Sequence, residues 1–378
     1  MTNANPETFD PKKMKIALVH YTLPPVTGGV ERVLGAQAKH LRKLGHQVTD
    51  YDAISFPALT QPPDVDVVVA HNVLSMHFHP TLSNKLWQLA DTLPVINWVH
   101  DVSALNPDYH VPDSPDLHFL RHAHPRMVQV AISPLRQQMW SGLTGATCLC
   151  IPNGFDPYEA LPLAPEVRHW AEAADIARSG MILFHPARLI PRKRVEVSLE
   201  ITAALRRSGV NATLLLTAAG DPHNPATRAY PETLRQRAAE TDLEGAVRFL
   251  SDYFPVDNAA VASLYALADV MIFPSRDEGF GLPILEAAAQ RLPVVYPDIE
   301  PLRSILTHAH HEVASSSNML LYPPEDAPET IAAKLQTWLS NDQRYRLRQE
   351  VFHRYSWERI VREEMEPLLE STLSRFTQ

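Results

Sequence analysis

Cysteine is nearly absent: 378 residues contain two. Cys148 and Cys150 sit two apart in "ATCLCIPNG", on one side of a strand pattern. That placement suits two buried thiols rather than a disulfide, and it fits a reducing compartment. Long apolar runs are missing as well, since no stretch approaches the ~18 consecutive apolar residues of a membrane span. The opening "MTNANPETFDPKK" has no apolar signal-peptide core and reads as a leader before the first strand. The expected location is cytoplasmic, with membrane contact at most peripheral, at the cytoplasmic face. Excess positive charge is also lacking. A net charge of -9 excludes nucleic acid as a partner, because phosphate backbones demand a basic footprint. The basic cluster "KHLRKLG" (Lys39, Arg42, Lys43) reads as a solvated helix face, with a local anionic contact as the alternative. Glycine is modest at 13, whereas 33 prolines point to many stiffened loops.

What is present is a repeated alternation. "MKIALVH", "QVTDYDA", "DVDVVVAHN", "PVINWVHD", "MVQVAIS" and "ATCLCIPNG" have the short apolar runs of buried parallel strands. Helical spacing lies between them in "VERVLGAQAKHLRKLG", "LSNKLWQLADTL" and "PLRQQMWSGL". Proline-rich "IPNGFDPYEALPLAPEV" breaks the rhythm and is the expected linker. A second set follows, with strands "GMILFHPA", "ATLLLTAAG", "AVRFLSD", "ADVMIFPS" and "LPVVYP", and the chain closes in helices. This pattern predicts an α/β chain of two doubly wound, Rossmann-like domains, residues 1–165 and 166–356, with helix 357–378 packing back on the first. Ligands of such sheets bind at the carboxyl ends of the strands, here in a central cleft that the two domains would face.

"RDEGFGLPILEAAAQ" (Arg276 to Gln290) follows one of these strands and carries two glutamates eight positions apart. Pro283 suits the first helical turn, which makes Gly279, Phe280, Gly281 and Leu282 the approach to a helix N-terminus with free backbone donors. Glu286 is expected in the first turn or so. A carboxylate is a good acceptor for paired hydroxyls such as those of a ribose. Glu278, on the loop, reaches a different hydroxyl-bearing group. Two solvated charges on an ordinary strand–turn–helix connection remain the alternative reading.

Beyond this chemistry, "EGFGLPILEA" with its E-x7-E spacing resembles the retaining family 4 glycosyltransferases of GT-B fold. Further stretches resemble the same family in the same order: "GGVERV" (Gly28 to Val33), "IPNGFD" (Ile151 to Asp156), "ARLIPRKR" (Ala187 to Arg194) and "SWERI" (Ser356 to Ile360). The resemblance implies a GT-B enzyme moving a hexose from a UDP- or GDP-linked donor to a hydroxyl acceptor with retention. The acceptor would be a sugar, a small molecule or a lipid-linked hydroxyl, and the leaving phosphate would help deprotonate it in a front-face route.

The same resemblance implies roles for individual residues. Arg188 and Lys193 would hold the donor diphosphate, with Gly28 and Gly29 letting backbone N–H groups approach it. Glu278 would bind the transferred sugar, Glu286 the ribose, and the amides of Phe280, Gly281 and Leu282 the sugar–phosphate junction. Tyr253 would contact the base and His100 the sugar. Asp101 is a candidate acceptor-side base or hydroxyl ligand, and Asn72 with His71 is read either as facing the acceptor or as structural. No cofactor and no metal are expected: His77 and His79, and His308, His310 and His311, lack further ligands at metal-site spacing. The Asp221–Asn224 stretch stands where the family has a glycine-rich turn and is expected near the donor. Two rival readings are a non-catalytic nucleotide-sugar-binding protein and an NAD-dependent oxidoreductase. "TGGVER" lacks the full G-x-G-x-x-G series, which opposes the second.

Overall fold

The computed structural model describes residues 13–26, 28–217, 229–241, 243–300, 302–303 and 318–376. The chain divides into two compact units, residues 1–155 with 354–378, and residues 156–353. The first break falls at Phe155, ten residues ahead of the expected 165/166 boundary. The proline-rich stretch expected as a linker instead starts the second unit, with short helices α4 (Pro157–Ala160) and α5 (Pro165–Ala173). Prolines at the first helical turn start both, where a missing N–H costs nothing.

The first unit holds six strands: β1 (Lys15–Val19), β2 (Gln47–Tyr51), β3 (Val67–His71), β4 (Val95–Val99), β5 (Val128–Ala131) and β6 (Cys148–Cys150). All pair in parallel, in the order β2-β1-β3-β4-β5-β6. Helices α1 (Gly29–Lys43), α2 (Pro80–Leu89) and α3 (Pro134–Thr144) cover the faces. Val33, Leu34, Ala38 and Leu41 give α1 one buried stripe, as their spacing predicts. Gly45, at φ +90°, turns the chain out of that helix in a conformation that side chains avoid.

The terminal helices belong to this unit. Helix α12 (Trp357–Ile360) runs through a π-helical turn at Val361–Met365 into α13 (Glu366–Phe376). Trp357, Ile360, Val361, Met365, Leu368 and Leu369 share one core with Leu18, Leu34, Val69 and Trp98. The exit and re-entry of the chain are stitched together: Phe155 N–H donates to the Tyr355 carbonyl at 2.8 Å and Trp357 N–H to the Phe155 carbonyl at 3.2 Å. Gly154 is required there, because a Cβ would stand 2.6 Å from the Trp357 ring. Buried His46 accepts from Met14 N–H on Nδ1 and therefore donates through Nε2 to Glu366, 3.1 Å away.

The second unit repeats the plan with β7 (Met181–His185), β8 (Ala212–Leu216), β9 (Val247–Phe249), β10 (Val270–Ile272), β11 (Val294–Pro297) and β12 (Met319–Tyr322). Their order is β12-β11-β10-β7-β8-β9, again parallel. β12 was not expected from the sequence: it is four residues long and only Tyr322 is buried, so it shows little apolar signal. Helices α6 (Val195–Arg207), α7 (Tyr230–Glu240), α8 (Asn258–Leu267), α9 (Leu282–Ala289), α10 (Pro328–Asn341) and α11 (Gln343–Arg354) complete it. Asp269 is fully buried and its carboxyl is pushed up to about 6, chiefly by desolvation. It takes the Ile182 N–H at 2.8 Å, the Gln349 amide at 3.0 Å and the Arg348 guanidinium at 3.1 Å, so it pins α11 under β7.

In both sheets the strand order reverses beside the first strand, between β1 and β3 and between β7 and β10. Crevices at such reversals, outside the carboxyl ends, are where ligands bind. Among the described residues no helix is long and apolar enough to cross a membrane. Replacing Trp357→Ala should destabilise the first unit by about 3–5 kcal/mol through cavity formation. Urea denaturation followed by Trp fluorescence and circular dichroism checks this, and an unchanged midpoint would contradict the anchoring role of α12.

Candidate functional site

In the second unit the β7 and β10 loops bring the sequence candidates together. After β7 the chain turns through a 3-10 helix at Pro191–Lys193, and Arg194 then enters α6 in the left-handed conformation, φ +50°. The Arg276 N–H donates to the Arg192 carbonyl at 2.9 Å, which clips this loop to the one after β10. Between the loops Lys193 Nζ donates to Glu278 Oε1, and Arg192 lies 3.6 Å from Oε2. Glu278 is only 9% exposed although its neighbours Arg276, Asp277, Gly279 and Phe280 all face solvent. Lys193 also lies over the Phe273 ring at 4.9 Å. Burial holds the Lys193 ammonium below its ordinary value in spite of the Glu278 carboxylate beside it. Arg188 is exposed on the same loop and makes no ion pair among the described residues.

Glu278 therefore leads into the Gly279–Leu282 approach that the sequence suggests. Gly281 caps α9 with φ +99°, and Phe280 and Leu282 stand exposed on either side of it. Glu286 lies at the start of the second turn of α9, close to the expected first turn or so. Its carboxylate is drawn back, because the Tyr265 hydroxyl on α8 donates to Oε2 at 2.8 Å and also lies 3.4 Å from the Pro283 carbonyl. Tyr253 is half exposed beyond β9, its ring 5.8 Å from that of Trp170. His185, at the end of β7, is fully buried with Nδ1 2.9 Å from Ser198 Oγ. Burial, helped by the nearby Lys193 charge, pushes its pKa down to about 3. The Asp221–Asn224 stretch, and His308, His310 and His311, lie outside the described residues.

In the first unit the loops after β1, β3 and β4 meet around a buried polar chain. His20 Nδ1 donates to the His71 carbonyl at 2.7 Å, and His71 Nδ1 faces His100 Nε2 at 3.2 Å. His71 Nε2 is buried with no partner among the described residues. An orphaned N–H is costlier than an orphaned lone pair, so His71 carries its proton on Nδ1 and donates to His100. His100 is then left with its own proton on Nδ1. Desolvation pushes the His100 pKa down to about 3 and that of His71 well down, so both rings stay neutral.

Asn72 holds this arrangement from the left-handed region, φ +57°, which Asn tolerates better than most residues. Its Oδ1 accepts from the N–H groups of His100 (3.1 Å) and Asp101 (2.8 Å) and from Ser75 Oγ (3.2 Å). That oxygen joins β3 to β4, which gives Asn72 a structural duty. Asp101 is likewise committed. Arg136 lies 3.0 Å from Oδ1, which also takes the Val102 N–H, while Asn106 donates to Oδ2. A carboxylate tied by three donors braces its loop.

The glycines before α1 lie beside a buried carboxylate. Glu31 is 8% exposed and its carboxylate curls back to the helix start, accepting from Thr22 Oγ1 and lying 3.8 Å from His20 Nε2. Burial is the largest single influence on it and pushes it up. Thr22, its own backbone N–H and His20 outweigh that and hold the carboxyl below its ordinary value. A Cβ on Gly28 would meet this carboxylate at 2.1 Å and displace it, whereas Gly29 has open space. The start of α1 thus carries a carboxylate of the chain's own. Sequence reading passed over Glu31, Thr22, His20, Arg192 and Tyr265. Glu31 lay inside a quoted motif, but nothing local said that it folds back.

Residues 169–353 match the family model described as Glycosyl transferases group 1. The chain is 31% identical over 214 residues to D-inositol 3-phosphate glycosyltransferase of Kineococcus radiotolerans, covering 54% of this chain and 46% of that one. It is 23% identical to mannosylglucosylglycerate synthase of Petrotoga mobilis, over 63% of this chain and 62% of that one. It is 32% identical to GDP-mannose-dependent alpha-(1-6)-phosphatidylinositol dimannoside mannosyltransferase of Mycobacterium tuberculosis, over 48% and 40%. The chain spans about half the length of the curated relatives it matches. A solved structure of Anabaena Alr3699/HepE in complex with UDP is similar over 94% of this chain and 100% of that one, at 19% identity and TM-score 0.39.

The neutral histidines make stability depend on pH. An ordinary imidazole titrates near 6.5, whereas folded His100 and His185 do so at about 3. Between those values the unfolded chain binds protons that the folded chain does not. For these imidazoles stability is full above about pH 6.5 and falls on acidification, by about 1.4 kcal/mol per pH unit each, while Asp269, its carboxyl raised to about 6, offsets one such loss below that pH. Glu31 adds its own loss only lower, as pH drops below the ordinary carboxyl value of 4.5. Urea denaturation at pH 7.5, 6.5, 5.5 and 5.0 checks this, and a flat profile would contradict the assignment of neutral rings.

Proposed function

From the premise that the second unit of this chain belongs to the group 1 glycosyl transferases, we propose that the protein transfers a hexose, with retention, from a nucleoside diphosphate sugar to a hydroxyl acceptor. The donor is UDP- or GDP-linked and is held by the second unit, and the first unit receives the acceptor. The observation that carries this reading is the Lys193–Glu278 pair at the β7/β10 reversal, a buried ion pair set in an otherwise exposed loop. Lys193 and Arg188 supply positive charge for the diphosphate, and stabilising the departing phosphate is the largest electrostatic demand of such a transfer. Glu278, aligned by Lys193 and Arg192, binds a hydroxyl of the sugar. The amides of Phe280, Gly281 and Leu282, at the glycine-started end of α9, bind the sugar–phosphate junction, and Tyr253 offers a face for the base.

Three features support a front-face route, in which a departing phosphate oxygen takes the acceptor proton. Glu278 is engaged with cations, Asp101 is tied into its loop, and His100 is neutral and holds a donor N–H. None of these is a free carboxylate placed as a glycosidase base would be. His100 then serves as a neutral hydrogen-bond donor to a hydroxyl. No cofactor or metal takes part in the reaction as proposed.

Donor binding is tested by thermal shift with UDP, GDP and ADP. The cognate nucleotide at 100 times its Kd should stabilise the fold by about 2.7 kcal/mol, and no shift with any of them would overturn the donor assignment. Glu278→Gln should lower transfer by at least about 100-fold and leave nucleotide affinity within a few-fold. Turnover equal to the wild type would remove Glu278 from the site. Donor hydrolysis and transfer both absent in the wild type, with nucleotide bound, would favour a non-catalytic binding protein.

A further inference from the structure

We propose that Tyr265 is a positioning residue for donor recognition, its hydroxyl setting the Glu286 carboxylate at the head of α9 so that the free oxygen meets the ribose. The inference rests on the reading of Glu286 as the ribose ligand. Glu286 is exposed on α9, and a glutamate free to sample its rotamers gives up about 1.5–2 kcal/mol of freedom when a ligand immobilises it. Here the side chain is held before any ligand arrives. Tyr265 is 3% exposed, and its ring meets Phe184 edge-on, with centroids 5.1 Å apart and planes at 85°. The phenol oxygen is therefore fixed by packing on β7 and does not follow the carboxylate.

The direction of the bond is settled by chemistry. An ionised carboxylate only accepts, so the phenol must donate. Its single hydrogen goes to Glu286 Oε2 at 2.8 Å in preference to the Pro283 carbonyl at 3.4 Å. Burial, and then the carboxylate itself, push the phenol well above its ordinary pKa, so it remains a donor at any working pH. Helical side chains lean toward the N-terminus, and this bond completes that lean, bringing a second-turn carboxylate beside the first turn. One lone pair of Oε2 is used, and Oε1 stays available to a pair of vicinal hydroxyls. Such preorganisation raises affinity by removing an ordering cost.

The test measures Kd for UDP and GDP and for their 2′,3′-dideoxy counterparts on the full chain. The ratio of dideoxy to natural Kd reports the ribose hydroxyls alone. Glu286→Ala should collapse that ratio toward one. Tyr265→Phe should keep the ring packing, leave the dideoxy Kd unchanged and lower the ratio by roughly 3- to 10-fold. The double variant should match Glu286→Ala, because the tyrosine acts only through the glutamate. A Tyr265→Phe ratio equal to wild type, beside a collapsed Glu286→Ala ratio, overturns the positioning role and leaves the ribose reading intact. An equal weakening of natural and dideoxy ligands by Tyr265→Phe shows a merely structural tyrosine and also overturns it. An unchanged ratio in Glu286→Ala overturns the ribose reading itself, and the proposal with it. If Tyr265→Phe does not fold, the proposal stands or falls on Glu286→Gln. Its amide oxygen still accepts from Tyr265 while its NH2 faces the ribose, so the ratio should fall to between those of wild type and Glu286→Ala.

Discussion

Both sheets are parallel and covered by helices on both faces, and this constraint governs where polar chemistry sits. A strand buried on two sides has no wet face on which to carry charge. Its functional groups can emerge only in the loops beyond the strand ends, and the loops have room where neighbouring connections run in opposite directions. In the second unit that place lies between β7 and β10, and Lys193 and Glu278 meet there. In the first unit it lies between β1 and β3, where His20, Glu31 and His71 meet, with His100 one strand further on.

The two units differ in how they manage buried polarity, although each keeps a buried neutral histidine. The second keeps charges and pairs them, Lys193 with Glu278 at the loop ends and Arg348 with Asp269 beneath the sheet. Removing one member of such a pair leaves an uncompensated charge, so each is costly to disturb. The first unit keeps neutral rings. His71 and His100 are joined by one hydrogen bond, and their desolvation excludes a second proton from either. The carboxylate beside His20, Glu31, is satisfied by its own loop and helix. The β4 end of this unit is also braced, since Asn72 and Arg136 hold the backbone around His100 and Asp101 from two sides.

Much of the architecture was legible because parallel strands and amphipathic helices have local periodicities. The apolar run "KIALV", the stripe Val33, Leu34, Ala38 and Leu41, and the stop at Gly45 needed no knowledge of distant partners. The failures have a common origin. β12 was missed because a short, half-exposed strand takes its identity from pairing with β11. The stretch 151–167 looked like a linker because prolines dominate it, yet prolines at first-turn positions start helices as readily as they break them.

The sequence by itself determined the fold class, the two parallel sheets and the loops that hold the candidate site, because those depend on residue type and spacing along the chain. Only the tertiary structure decided what each polar group does in its loop. It spent Asn72 on a backbone clamp and tied Asp101 to Arg136 and Asn106. It folded Glu31 over the start of its own helix and brought Tyr265, 21 positions away, against Glu286. The physical reason is that a hydrogen bond is decided within about 3 Å, and residues far apart in sequence reach that range only when strands and helices have packed.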